Sequence, residues 1–101
     1  MKSNGSLALV GSGEYLPQMK EFEQSLINDG IANGKKPIYI QIPTAAGQES
    51  DNRINYWQSL GASAASSLGV EQSFLPIFTR DDANNPELLK NVDDAALIYL
   101  S

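Results

Sequence analysis

The stretch that decides the fold is residues 37–47, PIYIQIPTAAG. Its first six residues form a short, mostly apolar run that ends at Pro43. A run of this length bounded by proline is typical of a buried strand in a parallel sheet. The small and polar residues 44–50 predict a loop after it. We therefore place a strand at 37–42 and build the rest of the domain outward from it.

Helical patterns flank this strand on both sides. Upstream, Pro17 suits the first turn of a helix, and Asn33–Gly34 suits its end. The apolar face of that helix consists of Phe22, Leu26, Ile27 and Ile31. Downstream, Ser50 or Asp51 caps a second helix that Gly69 ends. Its apolar stripe consists of Ile54, Trp57, Leu60, Ala64 and Leu68.

Three more strands complete the pattern, at 7–10, 73–77 and 95–100. Asn85 and Pro86 mark the start of a short helix over 86–92, and residues 80–82 are expected to be a solvated loop. Alternating strands and helices predict an α/β fold: a three-layer α/β/α, Rossmann-like half-domain with a mainly parallel, four-stranded sheet. Residues 1–101 are expected to form a single portion of a larger domain, because the fourth strand leaves an apolar edge uncovered.

Composition excludes several classes of function. The 101 residues contain no cysteine and no histidine, so disulfides, thiolate metal sites and a complete Ser-His-Asp triad within this chain are ruled out. The net charge of -5 and the scattered basic residues argue against a nucleic-acid partner. No apolar run reaches membrane-spanning length and no signal peptide is evident, so we expect a cytoplasmic protein with no membrane partner. No cofactor and no metal are expected.

The glycine turn at Gly11–Ser12–Gly13 allows several interpretations. A dinucleotide fingerprint needs a third glycine where Leu16 stands, and an acid after the second strand, which is absent. A phosphate-binding Walker loop needs a Gly-Lys-Ser/Thr sequence, which is absent. A receiver-type phosphorylation site needs clustered carboxylates near the first strand, whereas Glu14 stands alone there. A tight turn that also borders a pocket at the carboxyl ends of the strands remains.

Five segments resemble the peptidase S51 branch of the class I glutamine amidotransferase-like superfamily, which contains cyanophycinase and dipeptidase E. LALVGSGEYLPQM at 7–19 is similar to its opening strand and glycine turn. IYIQIPTAAG at 38–47 is similar to its second strand and Pro-Thr-Ala loop. INYWQSLGA at 54–62, LGVEQSFLPI at 68–77 and ALIYLS at 96–101 follow in the order of that family.

The resemblance implies serine hydrolysis by a Gly-x-Ser-x-Gly elbow, a histidine base, an orienting acid and a backbone oxyanion hole. In the family all of these follow the fourth strand, so no residue of this chain inherits a catalytic role. Ser12 replaces the middle glycine of the family's turn and is not read as a nucleophile. The expected pocket-wall residues are Gly11, Ser12, Gly13, Glu14, Thr44 and Ala45.

Three hypotheses follow. The first is the N-terminal part of an S51-like serine peptidase or amidotransferase-like protein, inactive by itself, whose partner is the remainder of its domain. The second is a non-enzymatic module that forms a homo-oligomer through the exposed edge of the fourth strand. The third is a small nucleotide- or flavin-binding protein, which the missing acid after the second strand disfavours.

Overall fold

The structure, a computed structural model, describes residues 6–9 and 15–100. This part of the chain forms three strands and four helices. The strands are β1 Lys36–Ile42, β2 Glu71–Phe74 and β3 Ala95–Leu100. The helices are α1 Lys20–Ala32, α2 Asp51–Ser67, α3 Arg80–Ala83 and α4 Pro86–Leu89. Single 3-10 turns lie at Pro17–Met19, Thr44–Ala46 and Val92–Asp94.

The sheet places β1 in the centre. The strand order is β2-β1-β3, and both pairs are parallel, with Ile40 opposite Ser73 on one side and Ile98 on the other. Tyr39, Ile40 and Gln41 have no exposed surface. The α/β class and the parallel sheet are confirmed, and the stretch chosen from the sequence is the central strand.

The prediction of four strands is wrong for this structure, because the described sheet has three. Residues 7–9 of the expected first strand are not in a strand, and Leu7 and Leu9 are 85% and 88% exposed. Val10 lies outside the described residues. A four-residue apolar run has little intrinsic preference for a strand, so its pairing depends on tertiary contacts. Here β2 and β3 occupy both hydrogen-bonding edges of β1.

The strand expected at 73–77 begins and ends earlier, at Glu71–Phe74. Leu75 N–H still donates to the Gln41 carbonyl, at 2.9 Å. Pro76 has no N–H, so the ladder cannot continue through it. Proline therefore sets the end of both β1 and β2.

α1 only partly follows its predicted face. Ile27 is fully buried, but Phe22 and Ile31 are 46% and 44% exposed. The buried neighbour of Ile27 on the helix is Glu23, a residue that apolar spacing does not select. Asn33 caps the helix and Gly34 follows it, as predicted.

α2 begins and ends close to its predicted bounds, but its buried residues are Gly61 and Ala65, which lie beside the predicted stripe rather than on it. Ser50 is the N-cap, and its hydroxyl accepts a hydrogen bond from Arg53 N–H at 3.3 Å. The stripe residue Leu68 is buried just past its end, and Trp57 is partly buried, while the adjacent Tyr56 is exposed.

The connection from β2 to β3 differs from its prediction in two places. Residues 80–82, expected as a loop, begin α3, because Thr79 and Asp82 form a reciprocal capping box. The helix expected over 86–92 is shorter, since α4 ends at Leu89 and a separate 3-10 turn follows. Asn85 caps α4 as predicted, accepting from Glu87 N–H at 3.0 Å.

The core joins both long helices to the same face of the sheet. Ile27 of α1, Tyr39 of β1, and Ala65 and Leu68 beside α2 form one buried cluster. Gly30 lets α1 approach β3 closely, because a Cβ at this position would lie 2.5 Å from the Ala96 carbonyl oxygen and 2.8 Å from the Ala96 Cα. Both atoms belong to backbone, which cannot move aside as a side chain can.

Gly30→Ala is expected to lower the free energy of unfolding by about 1–3 kcal/mol through overpacking against β3. The figure is a net loss, which already includes the gain of about 1 kcal/mol that alanine brings to a helix interior. Urea denaturation measures the change. The control is Asp29→Ala, an exposed neighbour on the same helix, which should change stability by less than about 0.5 kcal/mol. Unchanged or increased stability of Gly30→Ala would contradict the close approach.

Candidate functional site

The carboxyl end of β1 carries a buried amide network. The Gln41 side-chain amide nitrogen donates to the Tyr15 hydroxyl and to the Trp57 carbonyl, both at 2.8 Å. Its carbonyl oxygen accepts from the Gln72 side chain at 3.1 Å. Gly61 makes room for this amide, because a Cβ there would lie 2.1 Å from the Gln41 oxygen. The network ties α2, β1 and β2 to the segment that precedes α1.

Tyr15 reaches this network from a left-handed backbone conformation, with φ at 65°. Such a conformation costs a bulky residue of order 1 kcal/mol and persists only where contacts fix it. The Tyr15 ring stacks on Tyr99 of β3, with centroids 4.7 Å apart and planes at 20°. It also lies 6.3 Å from the Trp57 ring. Tyr15 is therefore held by β1, β3 and α2 at once.

An aromatic and charged surface adjoins the network at the start of α2. The Trp57 indole N–H donates to the Glu49 carboxylate at 3.1 Å. The Arg53 guanidinium lies over the rings of Tyr56 and Trp57, 4.9 Å and 5.3 Å from their centroids. Cation–π contacts at such a surface are worth about 0.5–1 kcal/mol each. They hold the guanidinium beside the carboxyl end of the sheet.

Of the six predicted pocket-wall residues, the structure describes two. Thr44 and Ala45 lie in the exposed 3-10 turn directly after β1, at the same end as Gln41. The Thr44 hydroxyl donates to the Ile77 carbonyl, which joins the loops after β1 and β2. Gly11, Ser12, Gly13 and Glu14 lie outside the described residues. A pocket-wall role for the six residues stays a prediction.

A second buried polar pair lies under α1. Glu23 is 4% exposed, and one of its carboxylate oxygens has no hydrogen-bond partner among the described residues. Burial raises the pKa of Glu23 above its ordinary value of 4.5. Burial also raises the pKa of Tyr39, and the nearby Tyr15, Glu23 and Tyr99 add to the effect. Burial thus favours the uncharged form of both Glu23 and Tyr39, which lie in the same part of the core.

The chemistry available to the described residues is limited. The sequence supplies neither histidine nor cysteine, and residues 6–9 and 15–100 contain no group of three or more potential metal ligands. None of the helices described is long and apolar enough to cross a membrane. The hydrogen bonds rigidify the carboxyl end of the described sheet, but the described residues present no serine beside a histidine base.

Comparison with known proteins gives one informative match. The chain is similar to the crystal structure of a peptidase from an acI-B1 Actinobacterium, with 66% sequence identity and a TM-score of 0.91. The match covers 95% of this chain and 39% of that one. This chain therefore corresponds to part of a peptidase chain, and spans about two-fifths of its length. No protein-family model and no curated protein matches the sequence.

Sequence reasoning missed the two best-connected residues of the site. Gln41 interrupts an otherwise apolar strand run, and a polar side chain in such a run signals a buried hydrogen-bonding role. Tyr15 carries no comparable signal, because tyrosine seldom adopts a left-handed backbone conformation and its sequence does not indicate one. Trp57, which lies on the predicted apolar stripe, is only partly buried and lies outside the core cluster, and its ring contacts Tyr15 and Tyr56.

Gln41→Leu is expected to lower the free energy of unfolding by about 1–3 kcal/mol, because the Trp57 carbonyl and the Gln72 amide each lose a buried partner. Thermal and urea denaturation measure it. The same substitution at the exposed Gln48 is the matched control and should change stability by less than about 0.5 kcal/mol. Equal stability of the two variants would show that the network contributes nothing.

Proposed function

We propose that this chain is the N-terminal part of a serine peptidase of the S51 branch, in which the catalytic serine and histidine come from chain beyond these 101 residues. The observation that carries the proposal is the 66% identity to a protein named a peptidase, over 95% of this chain. Identity at that level over nearly the whole chain supports common function as well as common fold.

The composition of the chain supports the proposal that the catalytic residues lie outside it. A serine nucleophile needs an adjacent base, and histidine is the usual one. This chain has none, while three-fifths of the neighbour's length has no counterpart here. In the proposed domain, the carboxyl ends of β1, β2 and β3 form one wall of the active site, and Thr44, Ala45 and residues 11–14, for which the sequence predicts a turn, border it. The three-layer, Rossmann-like architecture is completed by elements outside this chain.

A chimera tests the proposal. The matched part of the actinobacterial peptidase is replaced by this chain, and peptide hydrolysis is assayed beside the intact peptidase and the 101-residue chain alone. We expect hydrolysis by the intact peptidase and the chimera, and none by the chain alone, because only the first two hold a complete nucleophile and base.

Two results would contradict the proposal. An inactive but folded chimera, beside an active parent, would show that this chain does not supply a peptidase wall. Hydrolysis by the chain alone, retained after repurification, would show that the catalytic groups lie within it. Serine labelling by a fluorophosphonate in the chimera, and its absence in the isolated chain, checks that the mechanism is that of a serine peptidase.

We also propose that the free edge of β3 binds the remainder of that domain. Leu100 and Ile98 are 74% and 40% exposed. They are two residues apart in β3, so their side chains lie on the same face of the sheet. An exposed apolar edge strand is a template for pairing with further chain. About three-fifths of the matched peptidase has no counterpart in this chain. The corresponding part of the proposed domain is the segment that binds this edge.

The variant Leu100→Lys tests whether the edge of β3 binds the remainder of the domain or a second copy of this chain. In the isolated chain it should change stability by less than about 0.5 kcal/mol, since Leu100 is exposed, but in the chimera it should cost more than about 2 kcal/mol by burying a charge. Ile31→Lys, at an exposed position on α1, should be mild in both. A stable dimer of the isolated chain that Leu100→Lys dissociates, seen by sedimentation, would instead assign the edge to a second copy.

A further inference from the structure

Glu23 occupies a buried position that disfavours the ionised form of its carboxyl group. It is on the inner side of α1, 4% exposed, with one carboxylate oxygen unpartnered among the described residues. The Tyr39 hydroxyl in the same region is fully buried and also has no partner among them. Two buried polar groups without hydrogen bonds are costly, and the cost is far larger for an ionised carboxylate than for a neutral acid.

The local helix field does not offset that cost. Glu23 lies in the first turn of α1, where the helix dipole favours a negative charge by about 0.3–1 kcal/mol. Desolvation of a carboxylate costs several kcal/mol. The balance therefore favours the protonated form, in agreement with the raised pKa that burial gives this carboxyl group.

The groups around Glu23 are phenols rather than cations. Tyr39 approaches from β1, and Tyr15 and Tyr99 surround Tyr39 from the segment before α1 and from β3. On α1 itself, Lys20 lies one turn earlier and is exposed. The ion pairs of the described residues join Lys36 to Asp94 and Arg53 to Glu49, and neither involves Glu23.

Ile27 packs α1 against the sheet. Ile27, one turn after Glu23, is fully buried in the core cluster with Tyr39. Because Glu23 is only 4% exposed, full hydration of its carboxylate requires this turn of α1 to move away from the sheet, which withdraws Ile27 from its contacts. Ionisation of Glu23 and packing of α1 are therefore competing events.

We propose that Glu23 is a pH-sensitive anchor of α1: its neutral form keeps the helix packed on β1 and β3, and its ionisation favours release of the helix from the sheet. The sign follows from linkage. An acid with a higher pKa in the packed state than in the released state favours release as the pH rises above the released value, near 4.5. The opening constant rises about tenfold per pH unit until the pH exceeds the packed-state value, and then levels off. The inference does not depend on the peptidase proposal.

Hydrogen exchange of the 101-residue chain, followed by mass spectrometry from pH 5 to pH 9, tests it. Exchange rates are corrected for the intrinsic pH dependence, and α1 peptides are compared with α2 peptides. We expect protection of α1 to fall with rising pH by about tenfold per unit before it levels off, while α2 changes less. In Glu23→Gln, which keeps shape but cannot ionise, α1 protection should not vary with pH.

Glu21→Gln, at an exposed position on the same helix, is the control and should behave as the original chain. Three results would overturn the proposal: protection of α1 that is independent of pH, a pH dependence that persists in Glu23→Gln, or an equal response of α1 and α2, which would indicate global unfolding. Should Glu23→Gln fail to fold, a carbon-13 NMR titration of the Glu23 carboxyl group in the unmodified chain decides, since an ordinary pKa there would contradict the anchor.

Discussion

Gln41 lies at the centre of the sheet with none of its surface exposed, and its amide makes hydrogen bonds in three directions. Because an unpaired amide in the core would cost several kcal/mol, the positions of its partners are coupled to one another. α2 can pack only where the Trp57 carbonyl meets this amide and Gly61 clears it. The segment before α1 is held by the same group through Tyr15. One side chain thus sets the spacing of the elements at the carboxyl end of the sheet.

The sequence predicted those parts of the fold that local patterns control. Ser50 and Asn85 cap their helices as expected, and Pro43 ends the central strand, because these effects act within a few residues. Contacts distant in sequence decided the rest. The strand predicted at 7–10 rests on composition alone, whereas strand formation also depends on pairing, and in the described sheet β2 and β3 occupy both edges of β1 while residues 7–9 pair with no strand. α3 was missed although Thr79 and Asp82 carried a capping signal.

The sequence predicted which end of the sheet Thr44 and Ala45 occupy, but not the buried network beside them, and their pocket-wall role stays a prediction. Their position follows from topology, since loops at the carboxyl ends of parallel strands meet at one edge, and Thr44 is at that edge. The roles of Tyr15 and Glu23 depend on which way a helix or a turn faces. Residues with the same spacing, such as Phe22 and Ile31, face solvent instead. Apolar periodicity identifies a helix reliably and its buried side only approximately, because the sheet surface that receives the helix is itself polar in places.

The strand order also has a consequence for how the chain acquires its structure. Ile40 pairs with Ser73 on one side and with the much more distant Ile98 on the other. Closing the longer loop costs more chain entropy, so pairing of β1 with β2 has the advantage and β3 joins afterwards. On the ribosome the delay is built in, since β3 is synthesised after β1 and β2. Until it arrives, the open side of β1 carries a row of unpaired backbone groups, and this interval is when a nascent chain most needs a chaperone to shield it.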